Sequence, residues 1–377
     1  MNIESSESES CCVCIKEYDN ENHKTISLHT AVNGIDHHIC IYCLFFLKNP
    51  RCPMCNESID LKLLMELHCE ALIPNQVNFY GKTPLIFFCE AKLPKAALQL
   101  IKVFGEKCMP QQVDNNGYTA LMIACMLKLP EVSLKLIEVF GENLIPNQVN
   151  NEGNTALMIA CQKNLPEVVL KLIEVFGEKC LPQQVNNQGN TALMIACDNY
   201  KFSEASLKLI EVFGEKCLPQ QVNSGEMHET ALIIACRHEL PEVSLKLIEV
   251  FGEKCLPQQI DFRGDTALMI ACHKNLPEVA LKLIEVFGEN LIPNQVNYEG
   301  FTALIFACAS KLPEVSLKLI EVFGENCLPQ QVNDEGHTAL IAATNNNLLE
   351  VESKIIELLR KIEVREDESN PAKKAKL

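Results

Sequence analysis

TALMIACQKNLPEVVLKLIEVFGEKCLPQQVNNQGN, residues Thr155 to Asn190, is one copy of a pattern that recurs eight times. Its anchor is Thr-Ala/Pro-Leu, at Thr83, Thr119, Thr155, Thr191, Thr230, Thr266, Thr302 and Thr338. The step is 36 residues throughout, except for one of 39 between Thr191 and Thr230. Within the quoted copy, Ala156, Leu157, Ala160 and Cys161 fall at helical spacing and predict a short first helix. Leu165-Pro166-Glu167 restarts the chain, because proline in a first helical turn lacks only an N–H that had no partner there. Val168, Leu172, Val175 and Phe176 then predict a longer second helix. Gly177 is placed to end it, and Pro182 stops any continuation. The segment QVNNQGN carries Asn and Gly where a tight turn needs them. Such a unit cannot bury its apolar face alone, so a fixed period of this size predicts a stacked solenoid.

The motif Asn/Asp-x-x-Gly-x-Thr-Ala/Pro-Leu-x-x-Ala, followed by a second apolar helix, resembles the ankyrin repeat. That repeat is nominally about 33 residues long, and the extra residues here lie between Gly177 and Val185. Met158 stands where the family has His, and Asn164 where it usually has a turn glycine. The resemblance implies a mostly α fold, an ankyrin-repeat solenoid over residues 61–364, built from a half repeat and eight units. The half repeat is Leu63-Leu64-Met65-Glu66-Leu67 with Leu72 to Asn78, and KIIELLRKIEV forms a charged C-terminal cap. Residues 1–10 are expected as a disordered acidic N-terminus and 365–377 as a disordered tail. The step of 39 adds one residue in CDNYKFSEAS and two in NSGEMHET, both at expected loops.

Twelve cysteines sit inside the repeats in two recurring places. Seven occupy the first helix, as at Cys161. Five precede Leu/Met-Pro, as at Cys180, and two units have Leu144 and Leu291 there instead. A place that exchanges Cys for Leu reads as a small buried hydrophobe. Eight near-copies also supply no unique nucleophile–base pair, so the repeats are not expected to be catalytic.

The first 60 residues read differently. Cys11-x2-Cys14, Cys40-x2-Cys43 and Cys52-Pro53-Met54-Cys55 are three Cys-x2-Cys pairs within 45 residues. Two thiolates at that spacing reach one tetrahedral zinc, and a 60-residue segment with little aliphatic core needs a metal to fold alone. Six cysteines fill one site and half of a second, with His29, His37 and His38 nearby. The segment 11–57 resembles a RING-type zinc finger, whose cross-brace holds two zinc ions. The resemblance gives the first zinc to Cys11, Cys14, Cys40 and Cys43, and His37, Cys52 and Cys55 to the second. Where the family has a further Cys, two residues before His37, this chain has Ile35. His29 is taken as the eighth ligand, with Asp36, Cys12 or a degraded second site as the alternatives.

The same resemblance implies recruitment of a charged ubiquitin-conjugating enzyme through Val13, Phe46 and Pro53, with a substrate protein held on the ankyrin face. That is a ubiquitin-protein ligase, acting by orientation and without a catalytic side chain of its own. Asn56 stands where active members often place a basic residue. The alternative is a non-enzymatic binding scaffold with a structural finger. A RING finger joined to near-identical ankyrin units also resembles proteins of large DNA viruses.

Composition narrows the partners. The chain has 377 residues and a formal net charge of −16, which disfavours nucleic acid and anionic membranes. No apolar run of 18 residues is present, so no membrane span is expected, and MNIESSESES lacks the basic-then-apolar form of a secretory signal. An intracellular, cytoplasmic protein follows, with Lys373-Lys374-Ala375-Lys376 a weak nuclear-import-like cluster. The units differ at the excursion tips and at the end of the first helix. There Tyr118, Tyr200, Arg237, Asp265 and Phe301 are the candidate partner-binding residues, the aromatics being expected as exposed anchors.

Overall fold

The computed structural model describes residues 25–30, 36–40, 73–199, 203–224 and 227–369, with backbone only for 25–30, 36–40 and 366–369. Most of the finger, the start of the half repeat, Tyr200, the expected N-terminal tail and residues 370–377 of the expected C-terminal tail lie outside the described residues. The chain divides into two compact units, Met1–Leu181 and Pro182–Leu377.

In the first unit, short helices Pro84–Glu90, Ala120–Met126 and Ala156–Gln162 pack successively against one another. Long helices Pro94–Phe104, Pro130–Phe140 and Pro166–Phe176 form a parallel row behind them. In the second unit the short row is Ala192–Asp198, Ala231–Arg237, Ala267–His273, Ala303–Ala309 and Ala339–Asn345. Its long row is Ser203–Phe213, Pro241–Phe251, Pro277–Phe287, Pro313–Phe323 and Leu349–Ser369. Each unit is thus a stack of helical hairpins.

The recurring threonine caps the short helix. In all eight units its Oγ1 accepts from the backbone N–H three residues on, at 3.2–3.3 Å. Proline begins six of the eight long helices, and glycine ends seven of them with φ between 42° and 51°. The turn between helices is left-handed at Asn164, as the family glycine would be, yet Lys128 and Glu239 adopt the same conformation elsewhere. In the excursion, a buried Asn or Asp side chain organises the tip. Asn150 Oδ1 accepts from the N–H of Glu152 at 3.1 Å and of Asn154 at 2.9 Å. Gly189 is required by contact as well as by φ: a Cβ there would meet the Ser224 nitrogen at 2.3 Å.

The core of each unit is most of the apolar set read from the sequence, with Leu157, Met158, Cys161, Val168, Leu172 and Phe176 buried in the quoted copy; Val175, expected in the same stripe, is exposed, and Ile173 is buried beside Leu172 instead. The repeat cysteines are buried and form no disulfides. Burial pushes the Cys125 and Cys236 thiols up to about 12, so they stay protonated at neutral pH and behave as small apolar side chains. One boundary differs from the pattern. The last helix passes residue 364 and runs to Ser369, because no Gly or Pro interrupts it before Pro371. Lys354 and Lys361 both pair with Glu357, and Arg365 pairs with Glu325 of the preceding unit.

Candidate functional site

The two variable places converge. A tip residue and the residue eight positions later, at the end of the short helix, are neighbours within one hairpin. Lys82 pairs with Glu90 at 2.6 Å, and the reversed pair Glu229–Arg237 closes at 2.7 Å. Arg237 therefore does not project freely. It also reaches Asp198 of the preceding hairpin at 3.2 Å, and His238 Nε2 lies 2.9 Å from the same carboxylate. Glu229 is only 1% exposed. Burial holds its carboxyl above the ordinary range, against the pull of the Arg237 guanidinium.

Asp265 is likewise committed inside the molecule. It is 8% exposed, and its Oδ1 accepts from Asn297 Nδ2 of the next hairpin at 2.8 Å. Burial raises it to about 6, with Asp261 adding to the rise while Asn297 and Arg263 oppose it. Tyr118 is half-buried, and burial lifts its hydroxyl above the usual range while a hydrogen bond with Asn150 opposes the shift. Phe301 is half-buried too, and its ring stacks on Phe306 at 4.6 Å and 7°. His273 meets the same Phe306 edge-on at 5.0 Å. The expectation of exposed anchors at Tyr118 and Phe301 is thus corrected: both are half-buried, Phe301 stacked on Phe306 and the Tyr118 hydroxyl hydrogen-bonded with Asn150.

The exposed aromatics stand two or three residues before the tip positions. Phe262 and Tyr298 occupy the residue after the turn-forming Asp261 and Asn297, and Tyr298 is 74% exposed. Phe79 and Tyr80 hold comparable places in the first unit. Adjacent tips are tied edge to edge by main-chain bonds. The Phe262 N–H donates to Met227 O at 3.1 Å, Tyr298 to Arg263 O at 2.9 Å and Asp334 to Glu299 O at 3.0 Å. A signal for these residues was present, since other units carry Asn, Asp or Ser at that position. A turn-rich segment nevertheless reads as connection until the ladder shows it to be a surface.

At the other end of the chain, two strands define a hairpin: β1, Thr25–Thr30, and β2, Asp36–Cys40. They are antiparallel, with His29 opposite His37, Ser27 opposite His38 and Thr25 opposite Cys40. The backbone thus brings the positions of two expected nitrogen ligands together, and a donor set of imidazole and thiolate suits zinc. Cys11, Cys14, Cys43, Cys52, Cys55, Val13, Phe46 and Pro53 lie outside the described residues. Among the described residues, no group of three or more His, Cys, Asp or Glu is arranged to hold a metal. Nor is any helix among them long and apolar enough to cross a membrane.

Residues 134–215 match the family model for ankyrin repeats (3 copies). No curated protein matches the chain. Among solved structures, the chain is similar to the ankyrin repeat domain of Bcl-3, a unique member of the IkappaB protein family. Identity is 22%, with 65% of this chain and 100% of that chain covered, at a TM-score of 0.45. It is similar also to the human ASB11 ankyrin repeat domain, at 20% identity, 64% and 99% coverage and a TM-score of 0.44. The chain carries ankyrin repeats.

Proposed function

We propose that the repeats bind a partner protein and that residues 11–57 form a RING-type finger, making the chain a ubiquitin-protein ligase that holds its substrate on the repeat tips. The binding half rests on the ankyrin hairpins and their laddered tips, a rigid row that places exposed Phe262 and Tyr298 beside variable charges. The ligase half rests on one observation, the three Cys-x2-Cys pairs with His29 and His37 opposite each other in the hairpin. In this reading Cys11, Cys14, Cys40 and Cys43 hold one zinc, and His29, His37, Cys52 and Cys55 the other. Zinc supplies rigidity to a segment with little core, and Val13, Phe46 and Pro53 supply the apolar surface that receives the conjugating enzyme. Orientation of the ubiquitin thioester towards a substrate lysine is the catalytic contribution, and needs no acid or base.

A non-enzymatic scaffold is the second reading, favoured by Ile35 and Asn56, which replace a zinc ligand and a basic clamp. An autoubiquitination assay against a panel of conjugating enzymes separates them. Ubiquitin chains that disappear in Val13→Ala and in Phe46→Ala are the expected result. Zinc-loaded protein that is inactive with every conjugating enzyme overturns the ligase and leaves the scaffold.

A further inference from the structure

Three successive tips of the second unit form a strip with a chemistry of its own. The ladder from Phe262 to Asp334 fixes two parallel rows: Phe262, Tyr298 and Asp334 in one, Arg263, Glu299 and Glu335 in the next. All six residues are exposed. The aromatic pair is apolar area of the kind that anchors a partner, since large rigid rings bind with little loss of conformational freedom. The charges around it are unequal. Asp334, Glu299 and Glu335 are acidic, and the one cation, Arg263, lies over the Phe262 ring with its guanidinium carbon 5.2 Å from the centroid. Elsewhere, Lys82 is paired with Glu90 and Arg237 with Glu229. The strip therefore presents aromatic rings next to carboxylates that outnumber its cations, with His337 Nδ1 3.3 Å from Glu335, in a chain whose net charge is −16.

We propose that this strip docks a basic, extended segment of the partner, with an apolar or cationic side chain seated on Tyr298 and lysines or arginines facing Glu299 and Glu335. The proposal rests on the partner-binding reading above and specifies the chemistry of what is bound. A cation over an aromatic face gains from the ring quadrupole, and neighbouring carboxylates add attraction without requiring burial of an unpaired charge. The overall negative charge steers the same class of partner by raising the rate of encounter.

The test uses the full chain and three pooled, dye-labelled peptide libraries of equal length, each with leucine anchors. One is rich in Lys and Arg, one in Asp and Glu, and one is uncharged. Fluorescence anisotropy should show the basic pool binding in preference to the other two, with affinity falling as salt rises. Tyr298→Ala should weaken that binding by about tenfold, while its thermal unfolding stays unchanged because the ring is largely in solvent. Glu299→Lys with Glu335→Lys should reverse the preference towards the acidic pool. Equal or tighter binding of the acidic or uncharged pool, no binding of any pool, or an unchanged affinity in Tyr298→Ala each overturns the proposal. Concentration-dependent dimerisation abolished by Tyr298→Ala also overturns it, by assigning the strip to a second copy of the chain. Autoubiquitination of the parent chain does not depend on the strip, so a parent chain that is active yet binds none of the pools refutes this proposal alone.

Discussion

Arg237 reaches two carboxylates, and their surroundings make them unequal. Asp198 is largely in solvent, so its pair with Arg237 is screened and contributes little. Glu229 is buried, and without Arg237 it would be an uncompensated charge in the interior. Arg237→Ala should accordingly destabilise the second unit by about 3 kcal/mol, read as a lower urea midpoint. Glu229→Gln, which leaves no buried charge behind, should cost clearly less. Asp265 gives a prediction of opposite sign. Its carboxyl titrates near 6 in the folded chain, above its ordinary 3.8, so the fold holds that proton more tightly than the unfolded chain does. The associated stability is full below about pH 4 and is lost as pH rises through about 6. Asp265→Asn keeps the acceptor for Asn297 and removes the charge. It should raise stability at pH 7.5 by about 1–2 kcal/mol, and leave it nearly unchanged at pH 4. A thermal melt series across that range checks both limits. Neither residue's internal role was legible in the sequence. Asp198 and Arg237 lie 39 residues apart, and both positions vary among the units, which is also how a partner-facing surface reads.

At the scale of the element, the two forms of the segment after the long helix are a small experiment already present in the chain. Five units carry Cys followed by Leu or Met, and the second residue takes a left-handed conformation, as at Leu181 with φ 49°. Two units carry Leu-Ile, and there the short 3-10 turn is one residue shorter and Leu144 is extended at φ −79°. A β-branched side chain is poorly tolerated in the left-handed region, so Ile145 and a left-handed backbone exclude each other. The thiol has its own anchor: Cys180 Sγ donates to Leu172 O at 3.4 Å. Leu181→Ile alone should therefore destabilise by about 1–2 kcal/mol. Cys180→Leu combined with Leu181→Ile should recover much of that loss by adopting the other form, which a double-mutant cycle would measure as positive coupling. The exchange of Cys for Leu was legible as apolar replacement. The accompanying backbone change was not, because both pairs have the same hydrophobic pattern. By contrast, the starts and stops at Pro166 and Gly177 were plain, since each acts through its own backbone restriction whatever surrounds it.

At the scale of the whole molecule, the chain in the proposed reading joins two solutions to the problem of stabilising small units. A repeat gains its core by packing against a near-copy of itself, which is why eight threonines at a regular step disclosed the architecture. The N-terminal segment has no copy to pack against and is too short to bury much of a core, so its expected stabiliser is metal. Its ligand count was legible only up to Ile35, where the family pattern fails and the choice among His29, Asp36 and Cys12 depends on chain path. The hairpin register opposes His29 to His37, while Asp36 pairs with Thr30 at the hairpin's inner end. Purified full chain should therefore carry two zinc ions by elemental analysis, and His29→Ala should carry about one. Zinc content of two in that variant removes His29 from the ligand set, whereas one zinc in the parent chain marks Ile35 as a lost site. No zinc at all removes the finger from the proposed function. Chelation supplies the complementary measurement. The described repeats contain no candidate metal cluster, and their stability comes from the apolar contacts of Leu157, Leu172 and their counterparts. Stripping zinc should thus abolish conjugating-enzyme docking while leaving the helical circular-dichroism signal of the repeats and their thermal transition in place. Joint collapse of both signals on chelation would show that the finger and the repeats fold as a single cooperative body, contrary to the division of labour argued from their separate ligands and cores.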